Sequence, residues 1–119
     1  MKALELFESY SKTATVIRQW YLSKLLEELK DQSLPEDFKQ HVRDQGIDDE
    51  RICKMIEASP RSLFDVFDDH KVCVEIFLYP TYTFGYKIEG HEPITSFPTR
   101  KEAENAAIED AFELLNNKL

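Results

Sequence analysis

Asp65, Asp68, Asp69 and His70 form the densest group of potential metal ligands in this 119-residue chain. On a helical turn Asp65 and Asp69 share a face, and carboxylate oxygens suit Mg²⁺ or Ca²⁺. The spacing is not that of a Ca²⁺ loop, and no glycine supplies the sharp turn such a loop needs. A solvated acidic turn ahead of a strand accounts for the same residues. A metal-dependent enzyme built on Asp65, Asp69 and His70 is therefore the least supported reading, and the residues imply no metal or other cofactor. His41, His70 and His91 stand apart, and none falls in a paired spacing such as H-E-x-x-H.

Cys53 and Cys73 lie too far apart for a metal knuckle. Two reduced, structurally buried thiols are expected, and with them a cytoplasmic location. No glycine-rich phosphate loop and no nucleophile elbow occurs. Each of the three glycines has a structural use instead: Gly46 at a helix end, Gly85 inside a strand, Gly90 in a turn. Gly85 is the least ordinary of them, because a glycine within a strand marks a bulge or a close approach. No catalytic set is left over, which points to a chain that is not an enzyme.

Tyr82, Phe84 and Tyr86 recur at every second position. Aromatic stripes on a sheet stack bases in several RNA-binding folds. Such a surface carries a Lys and Arg fringe, and here only Lys71, Lys87, Arg100 and Lys101 are on hand. Packing of the stripe beneath a helix is the better account. The formal net charge of −8 opposes general nucleic-acid binding, which requires cations to displace phosphate counterions, and favours solubility and a basic partner. No run approaches the apolar length that spans a bilayer, and the first residues are acidic and amphipathic rather than signal-like, so no membrane association is expected.

The elements that must hold these residues follow from periodicity. In the first thirty residues Ala3, Phe7, Tyr10, Ala14, Ile17, Tyr21 and Leu25 recur at spacings of three and four, which predicts one long helix, or two with a kink near Ser11–Val16 where Ser11 or Thr13 could cap a new start. Ser33-Leu34-Pro35-Glu36 has the form of a capping box opening a second helix, with Phe38 and Val42 inward and Gly46 ending it. Asp48 caps a third, with Ile47 stapled onto Ile52, and with Met55 and Ile56 on the same inward face. Ser59-Pro60 opens a short helix carrying Leu63, Phe64 and Phe67. The period then changes to two. Lys71–Tyr79 reads as a strand with Val72, Val74, Ile76 and Leu78 on one face and Cys73, Glu75, Phe77 and Tyr79 on the other. Tyr82–Ile88 and Ile94–Phe97 follow as further strands. Thr99-Arg100-Lys101-Glu102 caps a last helix with Ala103, Ala107, Ala111 and Leu114 along one stripe and Ile108, Phe112, Leu115 and Leu119 beside it. The fold class is α+β: a helical half, residues 1–70, with three to four helices, then a three-stranded antiparallel meander and a C-terminal helix packed on it, residues 71–119. The two halves are expected to make one domain.

Residues 72 to 115 resemble the β-β-β-α part of a double-stranded-RNA-binding domain, most specifically Thr99-Arg100-Lys101-Glu102-Ala103-Glu104 with Ala107-Ile108 and Ala111-Phe112 after it. The resemblance implies that Arg100 and Lys101 contact phosphates. The family's third basic residue is Glu104 here, and Gly90-His91-Glu92-Pro93 lacks its glycine-rich loop. The chain as a whole, Thr99 to Leu115 above all, is similar to small uncharacterised proteins of gut Bacteroidetes and their phages or mobile elements, a resemblance that implies a bacterial or phage origin and no activity.

Together these features lead to a small interaction module that binds a protein partner or associates with itself. Its expected surface is the open face and edge of the sheet, with Phe77, Tyr79 and Lys87, where apolar groups left uncovered would mark a partner site. Nucleic-acid binding through Arg100 and Lys101 is the alternative.

Overall fold

The computed structural model describes residues 2–30 and 33–119, and Met1, part of the first expected helix, lies outside them. The described residues form six helices and one sheet: α1 (Ala3–Ser9), α2 (Ser11–Glu28), α3 (Glu36–Gln45), α4 (Asp49–Ala58), α5 (Ser62–Asp69), β1 (Val74–Leu78), β2 (Phe84–Ile88), β3 (Ile94–Phe97) and α6 (Arg100–Lys118). The sheet is antiparallel in the order β1-β2-β3, and α6 packs across all three strands and against α2 and α5. This is the α+β arrangement expected from the change of period. None of the described helices is long and apolar enough to cross a membrane.

The first helix breaks at Tyr10, whose backbone turns to φ −127°, ψ 73°. The residues that resolve this break are distant in sequence. The Lys12 and Thr13 N–H groups donate to Oδ1 of Asn116 on α6 at 3.0 and 3.4 Å, so α6 caps the start of α2. Thr13, one of the two expected local caps, is instead fully buried and donates its hydroxyl to the Phe112 carbonyl at 2.7 Å. Glu57 of α4 does for α1 what Asn116 does for α2, accepting from the Ala3 N–H at 3.2 Å.

Elsewhere capping is local, as expected. Asp48 accepts from the Arg51 N–H at 2.8 Å and Thr99 from the Glu102 N–H at 3.1 Å. Gly46 ends α3 at φ 69°, which suits a residue without Cβ. At α3 the residue before the helix is Pro35, not Ser33, and Pro35 makes no side-chain cap. The shift also moves the inward face. Val42 is buried, but Phe38 is 43% exposed, and the stem of Lys39 is buried in its place while its ammonium pairs with Glu36 at 3.4 Å. On α4, likewise, Cys53 joins Ile52 and Ile56 in the core and Met55 faces outward.

Phe112 sits at the centre of the helical core. Its ring lies 5.9 Å from Phe67, 6.2 Å from Phe7 and 6.4 Å from Tyr10, centroid to centroid, in tilted and edge-on arrangements. Ala103, Ala107 and Ala111 are completely buried along α6, and Ile108 and Leu115 beside Phe112 are too. Leu119, expected in that row, is half exposed at the chain end. Cross-links between helices complete the packing. Arg18 of α2 forms a two-pronged pair with Asp49 of α4 at 2.7 and 2.9 Å while its guanidinium lies over Phe7, and Tyr21 shares a hydrogen bond with Ser62 of α5 at 2.9 Å.

The tertiary cap makes a direct expectation. Asn116→Ala should cost about 1 kcal/mol in urea unfolding, the usual cost of a lost helix cap, whereas Asn116→Asp, which keeps an acceptor and adds a negative charge beside the helix N-terminus, should cost much less. Equal losses in both variants would show that Asn116 acts by packing and not as a cap.

Candidate functional site

The register places Val74, Ile76 and Leu78 of β1 opposite Ile88, Tyr86 and Phe84 of β2, so these residues share the face that α6 covers. Tyr86 and Ile88 are buried there. The Tyr86 hydroxyl donates to a carboxylate oxygen of Asp110 on α6, and burial, that hydrogen bond and the charges of Asp110 and Glu109 push the phenol far above its ordinary value. The Arg100 guanidinium covers the Phe84 ring at 5.7 Å. Phe84 and Tyr86 thus behave as the stripe was expected to. Tyr82 does not. It stands in the hairpin turn between β1 and β2 in a left-handed conformation, φ 59°, and is 83% exposed, because the strand begins two residues later than its alternation predicted.

The opposite face carries Cys73, Glu75, Phe77 and Tyr79. Phe77 and Tyr79 are half-buried, and neither belongs to the core cluster. Their rings meet edge-on at 6.4 Å. Gly85 explains how they lie down on the sheet. A Cβ there would come within 2.8 Å of Tyr79 Cε2, 2.7 Å of the Ile94 carbonyl oxygen and 3.2 Å of Thr95 Cα. The bare backbone at Gly85 is therefore the seat of the Tyr79 ring, the close approach that a mid-strand glycine signals. Lys87 is exposed on the same face, opposite Glu75, and with Cys73 and Glu89 these two line a shallow hollow of about 310 Å³. The structure therefore gathers Phe77 and Tyr79 into one aromatic pair, with Lys87 on the same face.

The edges of the sheet differ. The Glu89 N–H donates to Cys73 and the Tyr79 N–H to Thr83, which marks 73, 75, 77 and 79 as the residues that face β2 through their main chain. Val74, Ile76 and Leu78 consequently aim their main-chain groups away from the sheet, and among the described residues nothing pairs with them. Within β1 there is no proline, lysine or bulge to blunt this edge, and Leu78 is 58% exposed at its end. At the other edge β3 is short, its register slips between Phe84 and Tyr86, and Ser96 is left-handed at φ 76°. A bulged, twisted strand is a poor template for pairing. The unguarded edge was not singled out residue by residue in the sequence, although the run Val-Glu-Ile-Phe-Leu carries its signal: β-branched and aromatic residues with one charge.

The remaining candidates are dispersed. Arg100 and Lys101 are exposed at the start of α6, while Glu104, one turn on, is buried and paired with Arg61 at 3.0 Å. Asp65, Asp68 and Asp69 are exposed on α5, and among the described residues no three His, Cys, Asp or Glu side chains converge on a metal-sized site. Both cysteines are free thiols, Cys53 buried and Cys73 half-buried. Burial, aided by the carboxylates of Asp49 and Glu57, pushes the Cys53 thiol from 9.0 up to about 11, which suits a packing residue better than a nucleophile. Set against this geometry, no family model, curated protein or solved structure matches the chain.

Two expectations follow from these environments. Gly85→Ala should destabilise the fold by about 1–3 kcal/mol, and adding Tyr79→Ala should not restore the loss, because the Ile94 carbonyl still blocks the new methyl; rescue by the second substitution would place the obstruction in the ring alone. The Cys53 thiol keeps its proton in the folded chain where the unfolded chain has lost it, so stability should fall as pH rises from 9.0 to about 11. Unfolding curves across that range should show a smaller alkaline loss in Cys53→Ala than in the parent.

Proposed function

We propose that the chain is a non-enzymatic module that binds a protein partner by taking up an extended segment along the β1 edge, with Phe77, Tyr79 and Lys87 on the adjoining open face contacting the segment's side chains. The observation that carries this reading is the row of main-chain groups at Val74, Ile76 and Leu78, unpaired among the described residues, on a strand without proline, lysine or bulge. Strand addition gains its affinity from such groups and its specificity from pockets for alternate side chains. Alternate residues of an added strand would lie beside Phe77 and Tyr79 on one face and beside Leu78 on the other. The half-buried aromatic pair and the exposed Leu78 together give the apolar surface that a partner strand would bury.

Self-association is the same reading with a second copy as the partner. The net charge of −8 works against it and favours a partner that carries Lys or Arg. The nucleic-acid alternative rests on Arg100 and Lys101. Arg100 is already engaged with Phe84, and the position of the family's third basic residue is held by Glu104, which is buried and paired with Arg61.

A random-peptide display library selected on the folded protein, followed by calorimetry and amide exchange on a chosen peptide, tests the proposal. The peptide should bind in extended form and slow exchange of the Val74, Ile76 and Leu78 amides. Leu78→Pro, which removes an outward donor, and Phe77→Ala with Tyr79→Ala should each weaken it roughly tenfold or more. Peptides whose affinity ignores these changes, or whose binding leaves the three amides unprotected, would overturn the assignment. So would selective, salt-sensitive binding of duplex RNA that is lost in Arg100→Glu with Lys101→Glu.

A further inference from the structure

On the covered face of the sheet, away from β1, a groove of about 320 Å³ runs between α6 and the β2–β3 hairpin. Its floor is apolar: Tyr86, Ile88, Ile94 and Leu114. Ile94 is 45% exposed there, so the groove is open to a ligand from the β3 side. Its rim carries Asp110 and Glu113 from α6 and Glu92 from the hairpin turn, with His91 beside Glu92, and neither Lys nor Arg lines it. The Tyr86 hydroxyl holds one oxygen of Asp110. Among the described residues no hydrogen bond or ion pair engages the side-chain carboxylate of Glu92 or Glu113.

An apolar floor beneath uncompensated carboxylates selects for a particular chemistry. A bare metal ion is a poor match, since these acids do not converge on a metal-sized site. A neutral apolar molecule would fill the floor but leave the carboxylates unanswered, and an anion would be repelled. An added strand is also disfavoured, because β3, the flanking edge, is bulged and left-handed at Ser96. We propose that this groove binds a small organic cation, a protonated amine on an aromatic or branched apolar body, with the body on Ile94, Leu114 and Tyr86 and the ammonium between Asp110 and Glu113. The groove's volume lies at the small end of ligand sites, which fits a body of one or two rings. Asp110 and Glu113 are three residues apart on one helix and so project side by side, as bracketing a single ammonium requires. The site is independent of the β1 edge and stands or falls separately from it.

Tryptamine and its neutral alcohol analogue tryptophol, titrated into the ¹⁵N-labelled protein, test this inference. Tryptamine should shift the Ile88, Ile94 and Leu114 amides saturably, at least roughly tenfold more tightly than tryptophol, with affinity falling as salt rises. Glu113→Gln, an exposed change, and Asp110→Asn, which keeps an acceptor for Tyr86, should each weaken tryptamine but not tryptophol, with the remaining spectrum unchanged. Equal affinity for the two compounds, shifts centred on Phe77 and Tyr79, or no saturable shift up to about 10 mM would overturn it. A Lys-bearing peptide that binds these same residues more than roughly tenfold tighter than tryptamine would overturn it too, by making the occupant a protein segment.

Discussion

The rest of this structure depends on α6 being packed from both sides at once. On one side Asp110 meets Tyr86 and Arg100 covers Phe84, which ties the helix to the sheet. On the other Phe112 fills the space among Phe7, Tyr10 and Phe67, and Asn116 and the Phe112 carbonyl receive the start of α2. Ala103, Ala107 and Ala111 keep the helix slim enough to be enclosed: larger side chains at these fully buried positions would force the layers apart. Because a single helix serves both layers, the helical half and the sheet half share one core cluster, and a change in α6 is felt in each.

The same arrangement explains which parts of the fold are legible in the sequence. Where a feature is settled within one turn of chain, the residues announce it. Asp48 and Thr99 cap their own helices, Gly46 ends α3, and the switch of period from 3.6 to two separates α5 from the sheet. Where the partner comes from afar, they do not. The break at Tyr10 is stabilised by Asn116, about a hundred positions away, and α1 is capped by Glu57, so Ser11 and Thr13 looked like local caps when one is surface and the other core. Phe38 and Met55 illustrate a second limit. Each fits an apolar stripe, yet α3 and α4 are short helices whose rotation is set by the neighbours they meet: on α3 Lys39 is buried and Phe38 exposed, and on α4 Cys53 is buried and Met55 exposed.

The candidate surface was legible in outline for a related reason. Alternation alone separates Phe77 and Tyr79 from Val74, Ile76 and Leu78, because strand geometry admits only two faces. Gly85 signalled a close approach, and only the coordinates show that the approaching group is the Tyr79 ring. What alternation cannot show is which edge of a three-stranded sheet is blunted. That depends on the register slip in β3 and the left-handed Ser96, neither of which has a marker in Ile-Thr-Ser-Phe.

An unguarded edge strand is a hazard for any chain, since it pairs as readily with another copy as with a partner. Here proline, lysine and bulge are missing from β1, and the protection available is charge, both of the whole chain and of Glu75. Two copies approaching edge to edge each carry a net charge of −8, and Glu75 of one β1 would be drawn close to Glu75 of the other in an antiparallel pairing centred on Ile76. Repulsion of this kind reaches over about one Debye length, roughly 8 Å at physiological salt, which covers the distance at which strands begin to pair. A partner with positive charge meets no such barrier and gains from steering on approach. Net charge and an open edge are thus complementary features in the proposed reading: the first disfavours the chain's own copies, and the second leaves the main-chain groups that a strand of opposite sign would use.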